Sequence, residues 1–210
     1  MGIDVRVCFL GDSLVAGVGD PEHLGWTGRL AARTHQGGWP LTTYNLGVRR
    51  DTTADVLRRA PAECAARLPS GSGPGVVVSM GINDTTLVGG RPRVAPPYSA
   101  ANLDMLLRHC RNARWPALVV GPPPVDDELQ NDRIAGLDGL FASLCQRRGV
   151  PYVSVLPALR PDPIWRRDVF EGDGSHPGAE GYSLLADLVQ PAWDSWLGGL
   201  FNGRWTAPWA

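Results

Sequence analysis

The sequence predicts a three-layer α/β domain built on a parallel sheet. Short runs rich in β-branched residues alternate along the chain with longer segments of helical periodicity, and that alternation favours strands joined by right-handed helical crossovers. Three consecutive valines in Gly75–Met80 are typical of a strand that is covered on both faces. The chain has 210 residues, of which 43% are hydrophobic, and this length fits one compact domain.

Five strands and five helices follow from these patterns. The predicted strands are Val5–Leu10, Leu41–Asn45, Gly75–Met80, Ala117–Gly121 and Val150–Val155. The predicted helices are Trp26–His35, Thr53–Leu68, Ser99–Ala113, Leu129–Arg148 and Gly178–Leu197. Pro61 is expected to kink or break the second helix. The proline-rich stretch Leu156–Ser175 is expected to be a loop.

The C-terminal end is expected to form a short appendage to a single domain. The domain is predicted over residues 1–197, and residues 198–210 form a tail that contains Trp205 and Trp209. This tail is too apolar to be a comfortable free end. It could dock on its own domain, contact a second subunit and so form a homo-oligomer, or cover the site. These three alternatives stay open.

Composition excludes several classes of function. All 20 basic residues are arginine, so Schiff-base chemistry, a P-loop lysine and a serine–lysine dyad are impossible. The formal net charge is −1, which gives no indication of binding to nucleic acid or to an anionic membrane. No apolar run is long enough to span a bilayer, and the first residues do not resemble a secretory signal.

The four cysteines, Cys8, Cys64, Cys110 and Cys145, are widely spaced. Their spacing does not match a zinc site, and no metal or other cofactor is expected. Buried free thiols in a reducing cytoplasm are the preferred interpretation, so the protein is expected to be cytoplasmic.

Polar motifs follow the predicted strands at the edge where ligands of parallel α/β sheets bind. Gly11-Asp12-Ser13-Leu14 follows the first strand, Asn45-Leu46-Gly47 ends the second, and Gly81-Ile82-Asn83-Asp84 follows the third. Asp173 and His176 lie three residues apart just before the last helix, so both can reach a single serine. Ser13 alone would fit an ordinary helix cap. The ordered set is harder to attribute to capping.

These four motifs resemble the sequence blocks of the SGNH, or GDSL, hydrolase superfamily. The resemblance extends from Gly11 to Pro177 and implies a flavodoxin-like three-layer α/β/α sandwich with a five-stranded parallel sheet. It also implies a serine esterase, lipase or acylhydrolase that needs no cofactor and acts on a small-molecule ester. The blocks match a catalytic triad of Ser13, Asp173 and His176. They match an oxyanion hole formed by the backbone N–H groups of Ser13 and Gly47 and the side-chain amide of Asn83.

The chemistry requires these residue types independently of the family. Ser13 becomes nucleophilic when a base such as His176 takes its proton. Asp173 would orient the imidazole, and the oxyanion needs donors already in place. Asp12 and Asp84 are expected to be structural and to hold their turns.

Several other residues have two interpretations. An ion pair with Asp51 or Asp55 is favoured for Arg49 and Arg50, while the alternative is a contact with an anionic group of the substrate. His23 could lie at the rim of the site, Trp165 could line an acyl pocket, and the run of prolines at positions 122–124 could form a rigid site wall.

Three rival functions remain open. An acyltransferase would form the same acyl-enzyme on Ser13 but pass the acyl group to an alcohol or an amine. A non-catalytic binding module would keep the fold, although the intact set of Ser13, Asn83, Asp173 and His176 argues against it. A flavodoxin-type flavin binder would share the sheet topology, although the loop after the first strand lacks a phosphate-binding pattern rich in serine and threonine.

Overall fold

A computed structural model describes residues 3–202 of the chain. Its strands are β1 (Val5–Gly11), β2 (Thr42–Gly47), β3 (Gly73–Ser79), β4 (Leu87–Val88), β5 (Arg91–Pro92), β6 (Ala117–Val120) and β7 (Tyr152–Val153). Five of them form one parallel sheet in the order β2-β1-β3-β6-β7, while β4 and β5 form a separate antiparallel hairpin. The predicted five-stranded parallel sheet is confirmed.

The helices connect and cover these strands. They are α1 (Ser13–Ala16), α2 (Gly25–Gln36), α3 (Thr53–Ala65), α4 (Ile82–Thr85), α5 (Pro96–Asn112), α6 (Glu128–Arg148), α7 (Leu156–Leu159), α8 (Pro163–Glu171) and α9 (Ala179–Phe201). Each of these helices that is longer than a turn has buried apolar side chains on the face that meets the sheet or a neighbouring helix.

Helices cover both faces of the sheet because its strands alternate their apolar side chains between two cores. Along β1, Val7 and Phe9 pack into the core beneath α2, α8 and α9, whereas Cys8 and Leu10 pack into the core beneath α3, α5 and α6. Phe9 stacks on Trp193 of α9 with ring centroids 5.4 Å apart. The three-layer α/β/α sandwich is therefore confirmed.

The strand order places a crevice at one defined point of the sheet. The chain moves outward from β1 to β2 and then crosses to β3 on the other side of β1, so the connections leave β1 and β3 in opposite directions. In open α/β sheets, ligands bind at such a switch point, beyond the carboxyl ends of the strands. Ser13 follows β1 and Asn83 follows β3 at this point.

The predicted loop Leu156–Ser175 is wrong, because α7 and α8 lie within it. Asp162 caps α8 by accepting hydrogen bonds from the backbone N–H groups of Ile164 (2.9 Å) and Trp165 (3.0 Å), and Pro163 occupies the first turn. Proline is well tolerated there since the first turn has no intrahelical partner for its N–H. Pro157 and Pro163 thus mark the starts of α7 and α8.

Other element boundaries also differ from the prediction. α3 continues through Pro61 without a break and ends at Ala65. β7 spans Tyr152–Val153 alone, in a register that pairs these two residues with Val119 and Val120 of β6. α9 runs through Gly198 and Gly199 to Phe201, and the predicted tail residues Trp205 and Trp209 lie outside the described residues.

The four cysteines are buried free thiols, as predicted. Burial raises the pKa of the Cys110 and Cys145 thiols to about 12, which keeps both of them protonated at neutral pH. Among residues 3–202, no helix is long and apolar enough to cross a membrane.

Candidate active site

The turn after β1 presents Ser13 at the start of α1. Asp12 caps this short helix by accepting a hydrogen bond from the backbone N–H of Leu14 at 3.0 Å. Ser13 is 8% exposed, so its hydroxyl group lies at the edge of the core and not on the open surface. A tight cap on a buried strand end therefore fixes the position of the candidate nucleophile.

The loop before α9 brings His176 and Asp173 to this serine. His176 Nε2 lies 2.7 Å from Ser13 Oγ, and His176 Nδ1 lies 2.8 Å from Asp173 Oδ2. Asp173 Oδ1 also accepts hydrogen bonds from the backbone N–H groups of Ser175 (3.1 Å) and His176 (3.0 Å). The carboxylate thus holds both the loop and the imidazole, and the three predicted side chains form one hydrogen-bonded chain.

Asp173 is held in its ionised form. Partial burial acts to raise its pKa, but the hydrogen bond and the charge of His176 and the two backbone N–H groups together hold the pKa of Asp173 below its usual range. A carboxylate that is ionised at neutral pH stabilises an imidazolium beside it.

Asn83 projects from the turn after β3 towards the same point. Its Nδ2 donates to the Asp51 carbonyl at 3.0 Å and lies 3.4 Å from Asp12 Oδ2. Gly81 begins this turn with φ of 122°, a conformation that strongly favours glycine. The turn thereby directs the Asn83 amide across the end of β1.

Asp84 is a structural residue, as expected, but the recorded partners of its carboxyl group lie on α3 and α5 and not in its own turn. It is completely buried and accepts hydrogen bonds from the backbone N–H of Thr53 (2.9 Å) and from the hydroxyl groups of Thr53 (2.5 Å) and Ser99 (2.7 Å). Burial raises the pKa of Asp84, and these hydrogen bonds oppose that effect. The carboxyl group therefore joins the starts of α3 and α5 to the Asn83 turn.

Gly47 ends β2, and its backbone N–H, the predicted oxyanion donor, already has a partner in the structure. Its N–H donates to Asn45 Oδ1 at 3.0 Å. A Cβ atom at this position would lie 2.2 Å from the backbone nitrogen of Ala16, so the close passage of α1 already requires glycine here. The structure thus gives Gly47 a packing role at the end of β2.

The next turn of the same segment lines the cavity that contains Ser13. Val48 O accepts from Asp51 N at 3.3 Å, and within this turn Arg50 adopts φ of 67°. Among residues 3–202, the structure records no hydrogen-bond partner for the backbone N–H of Arg50. Arg49 and Arg50 both line the cavity in front of Ser13.

The favoured ion pairs of Arg49 and Arg50 are wrong. Asp51 is bound by Arg59 at 2.7 Å, and Asp55 is bound by Arg58 at 2.9 Å. Both partners lie on α3, where helical spacing holds Arg58 beside Asp55, while Arg59 reaches Asp51 in the turn before the helix. The two arginines of the turn are left facing the cavity.

Asp12 is the buried carboxyl group of the site. Burial, together with the charges of Asp84 and Asp51, raises its pKa to about 7, whereas the N–H of Leu14 acts in the opposite direction. The Asp12 carboxyl group, which is adjacent in sequence to the candidate nucleophile, is therefore partly protonated at neutral pH.

These elements enclose a cavity of about 270 Å³. The lining residues are Asp12, Ser13, Leu14, Arg49, Arg50, Ile82, Asn83, Thr86, Gln130, Asp173, Ser175 and His176. Leu14 and Ile82 are the only apolar residues in this set, so the cavity is unusually polar for a ligand site, since most are lined mainly by apolar and aromatic side chains.

Two residues that support the site were missed in the sequence. Arg59 Nη2 donates to the Gly11 carbonyl at 2.8 Å while its Nε holds Asp51, so it ties the end of β1 to the Arg50 turn. Gln130 Nε2 donates to Ile82 O (3.2 Å) and to two threonine hydroxyls beside it. The i, i+4 pair of Arg59 with Glu63 is visible in the sequence, but its contact with Gly11 depends on tertiary structure.

Trp165, Pro124 and His23 lie outside the cavity in front of Ser13, where the sequence suggested a role for them. Trp165 lies in α8, is 1% exposed and donates from Nε1 to the Pro124 carbonyl at 3.1 Å. Pro124 and Trp165 line a neighbouring cavity of about 140 Å³ and not the cavity in front of Ser13. His23 lies between α1 and α2, outside the residues that line that cavity.

Comparison with known families identifies the chain. Residues 9–184 match the model of the GDSL-like Lipase/Acylhydrolase family, and this span contains every residue of the candidate site. The chain belongs to the GDSL-like lipase/acylhydrolase family. Membership makes it a carboxylic ester hydrolase. A search of curated proteins found no match.

Solved structures share the GDSL-like fold at low sequence identity. A lipase/acylhydrolase from Enterococcus faecalis is 21% identical with a TM-score of 0.74, over 98% of this chain and 100% of that one. A psychrotrophic esterase from Pseudoalteromonas sp., inhibited by monoethylphosphonate, is 20% identical with a TM-score of 0.70, over 93% and 100%. A catalytic histidine-to-alanine mutant of an acetylxylan esterase from Geobacillus stearothermophilus is 14% identical with a TM-score of 0.75, over 91% and 94%.

Proposed function

We propose that the protein cleaves carboxylic esters through an acyl-enzyme on Ser13, with His176 as general base and Asp173 as the residue that orients it. The observation that carries this proposal is the hydrogen-bonded chain from Ser13 Oγ to His176 Nε2 (2.7 Å) and from His176 Nδ1 to Asp173 (2.8 Å). A similarly folded acetylxylan esterase whose catalytic mutants replace a histidine or a serine supports it.

The reaction runs in two steps. Ser13 Oγ attacks the ester carbonyl as its proton passes to His176 Nε2, and His176 then gives this proton to the leaving alkoxide as the C–O bond of the ester breaks. A water molecule next gives a proton to His176 and attacks the acyl-enzyme, which releases the free acid and restores the Ser13 hydroxyl. Asp173 stays ionised and stabilises the imidazolium in both steps.

The oxyanion of each tetrahedral intermediate needs donors that are already in place. We propose the backbone N–H of Ser13 and the Nδ2 amide of Asn83. This amide donates to the Asp51 carbonyl at 3.0 Å, and the oxyanion would replace its longer contact of 3.4 Å with Asp12 Oδ2. For the second backbone donor we propose the N–H of Arg50, because Arg50 lines the cavity and this N–H has no recorded partner among residues 3–202. The predicted role of the Gly47 backbone N–H as an oxyanion donor stays a prediction. This role would require its hydrogen bond to Asn45 to break.

An active-site probe tests the assignment of the nucleophile. A fluorophosphonate should label the native protein once, and peptide mapping should locate the label on Ser13 and not on Ser175, the other serine of the cavity wall. Ser13→Ala should abolish both labelling and the hydrolysis of 4-nitrophenyl esters. A label that persists after Ser13→Ala would contradict the proposal.

The same assay separates hydrolysis from acyl transfer. When candidate alcohols and amines are added, a hydrolase releases mainly the free acid, whereas an acyltransferase forms the acylated acceptor. Both outcomes require Ser13. The ratio of free acid to acylated acceptor therefore shows where the acyl group goes and does not test the nucleophile.

We also propose a cytoplasmic location, which the four buried free thiols support because such thiols persist in a reducing compartment. Fractionation of the native source cells, with the protein detected by antibody, tests it. A homo-oligomer formed through the C-terminal tail, residues 198–210, stays a prediction.

A further inference from the structure

Two arginines on the cavity wall have side chains without a partner among residues 3–202. Arg49 and Arg50 are both exposed, and both line the cavity that contains Ser13, Asn83 and His176. Within the described residues 3–202, neither side chain takes part in an ion pair or a hydrogen bond. By contrast, Arg29, Arg59 and Arg148 bind carboxylates of the protein itself. The guanidinium groups at the cavity are thus available to a ligand.

The carboxylates near these arginines are already engaged. Asp51 binds Arg59, and Asp55 binds Arg58. The two carboxyl groups of the cavity wall face other partners, since Asp173 binds His176 and Asp12 accepts from Leu14 and is partly protonated. Two arginines that have no ion-pair partner among the described residues therefore line a small polar cavity.

The backbone at Arg50 is held in a conformation that arginine rarely adopts. Its φ of 67° lies in the left-handed region, which strains any residue with a Cβ atom. Arg93 Nη1 donates to the Arg50 carbonyl at 3.1 Å, and the turn closes through Val48 O and Asp51 N. Glycine would be free of this strain. A strained residue beside a reacting group is a reason to look for a function of its side chain.

Resting on the proposed function, we propose that Arg49 and Arg50 select esters that carry an anionic group, a carboxylate or a phosphate, a few bonds from the scissile carbonyl. The planar guanidinium group donates parallel N–H bonds that match the oxygen atoms of either anion. The polar wall formed by Thr86, Gln130 and Ser175 suits a small hydrophilic substrate better than a long acyl chain.

Matched pairs of esters test this selectivity. The first pair places the anion on the acyl side, with 4-nitrophenyl hydrogen adipate against 4-nitrophenyl heptanoate. The second pair places it on the alcohol side, with 2-acetoxyethyl phosphate against 2-acetoxyethanol. Rates measured with Ser13→Ala are subtracted, so that only turnover that depends on Ser13 is compared. The pair that shows the preference identifies a combination: a carboxylate on the acyl side or a phosphate on the alcohol side.

The wild-type protein should prefer the anionic ester in at least one pair by about 10-fold in kcat/KM, as a charge-assisted hydrogen bond allows. The double variant Arg49→Gln with Arg50→Gly should bring this ratio close to one. Glycine keeps the backbone N–H and accepts the φ of Arg50, so the change removes the guanidinium group without straining the turn. The preference should also shrink at about 1 M salt, because the charges are exposed.

Arg58→Ala is the matched control. Arg58 is exposed and lies on the adjacent helix, but it binds Asp55 and does not line the cavity. Its removal should leave the anionic-to-neutral ratio at the wild-type value. A fall in the ratio equal to that of the double variant would show a general effect of surface charge and would overturn the inference.

The remaining outcomes separate this inference from the proposed function. Turnover of neutral esters that depends on Ser13, with a ratio near one in both pairs, overturns the anionic selectivity alone. A preference that survives in the double variant overturns the role of the two arginines. If none of the four esters shows turnover that depends on Ser13, the proposed function fails, and the inference fails with it.

Discussion

The two aspartates beside Ser13 lie in opposite environments. Asp12 is 2% exposed, and burial raises its pKa to about 7. The Asp173 side chain is 53% exposed, and its hydrogen bonds with His176 keep its pKa below the usual range. The same side chain thus serves as a partly neutral hydrogen-bonding group in one place and as a charge in the other.

This contrast extends to the two halves of the site. The floor, formed by Asp12, Ser13 and Asn83, is built on the ends of β1 and β3 and is held by the Asp51 carbonyl and the Leu14 N–H. The His176 loop, residues 172–178, lies at the surface and is organised mainly around the Asp173 carboxylate. We therefore expect changes in the loop to affect catalysis more than stability, and changes in the floor to affect both.

The largest effect is expected for Asp173→Asn. The amide cannot stabilise the imidazolium and favours the wrong tautomer of His176, so kcat should fall by about 10⁴-fold, as in other triads. The half-exposed site should keep the free energy of unfolding within about 1 kcal/mol of wild type. Kinetics and urea unfolding on one preparation measure both quantities. A kcat within about tenfold of wild type would remove Asp173 from the mechanism.

Asn83→Ala should lower kcat by about 100–1000-fold while KM changes little, because its amide acts mainly on the charge that develops in the transition state. Asn83→Asp should be at least as damaging, since it puts a carboxylate in front of the oxyanion. If Asn83 only stabilises its turn, alanine would instead lower the melting temperature and spare kcat. Measuring melting temperature and kcat together separates the two roles.

Asp12→Asn should change how stability depends on pH. Since the folded pKa of about 7 exceeds the unfolded value of 3.8, the folded state binds more protons between these values, and wild-type stability falls as pH rises through this window. The amide of asparagine does not titrate, so the variant does not lose stability in this way. Relative to wild type, the variant should gain about 2 kcal/mol of unfolding free energy between pH 5 and pH 8.

Urea unfolding of both proteins at the two pH values measures this double difference, in which all other titrating groups cancel. Asp84→Asn is a matched comparison, because its carboxyl group is also buried but lies among three hydroxyl and N–H donors that favour the charged form. It should be destabilising at both pH values. If the unfolding free energies of Asp12→Asn and wild type change equally between pH 5 and pH 8, Asp12 is ionised throughout this range.

The sequence predicted most of the fold because local patterns determine it. The valines of β3 are buried on both faces, and the apolar repeat of α5 faces the core. α8 was missed because Pro163 was interpreted as a loop residue and not as the first turn after the Asp162 cap. The apolar pair Trp165 and Val169, four residues apart, was the available signal.

The site was predicted less completely because its parts meet only in three dimensions. Ser13, Asp173 and His176 could be singled out from motifs, and the structure brings them together. The turn at Arg50 could not be anticipated, because an arginine at positive φ carries no signal in the sequence. The ion-pair partners of Asp51 and Asp55 depend on the face of α3 that meets the turn. The order of charged residues in the sequence does not reveal this face.

Tyr182→Phe tests the contact between the floor and the His176 loop and should have the smallest effect. Tyr182 of α9 is fully buried, and its hydroxyl group donates to the Val18 carbonyl at 2.7 Å. Val18 precedes Gly19, where an added Cβ atom would lie 3.0 Å from His176 Cβ, so the segment that follows α1 packs against the base. Phenylalanine leaves the Val18 carbonyl without this donor.

We expect Tyr182→Phe to lower the free energy of unfolding by about 1 kcal/mol, the usual contribution of one hydrogen bond. It should lower kcat by less than about tenfold, because the imidazole keeps both of its own hydrogen bonds. Urea unfolding and ester hydrolysis measure the two effects. Tyr98→Phe, at a tyrosine that is 70% exposed, controls for the loss of a hydroxyl group and should change neither. A loss of kcat as large as that of Asn83→Ala would mean that the floor and the His176 loop act as one unit, and the contrast drawn between them would fail.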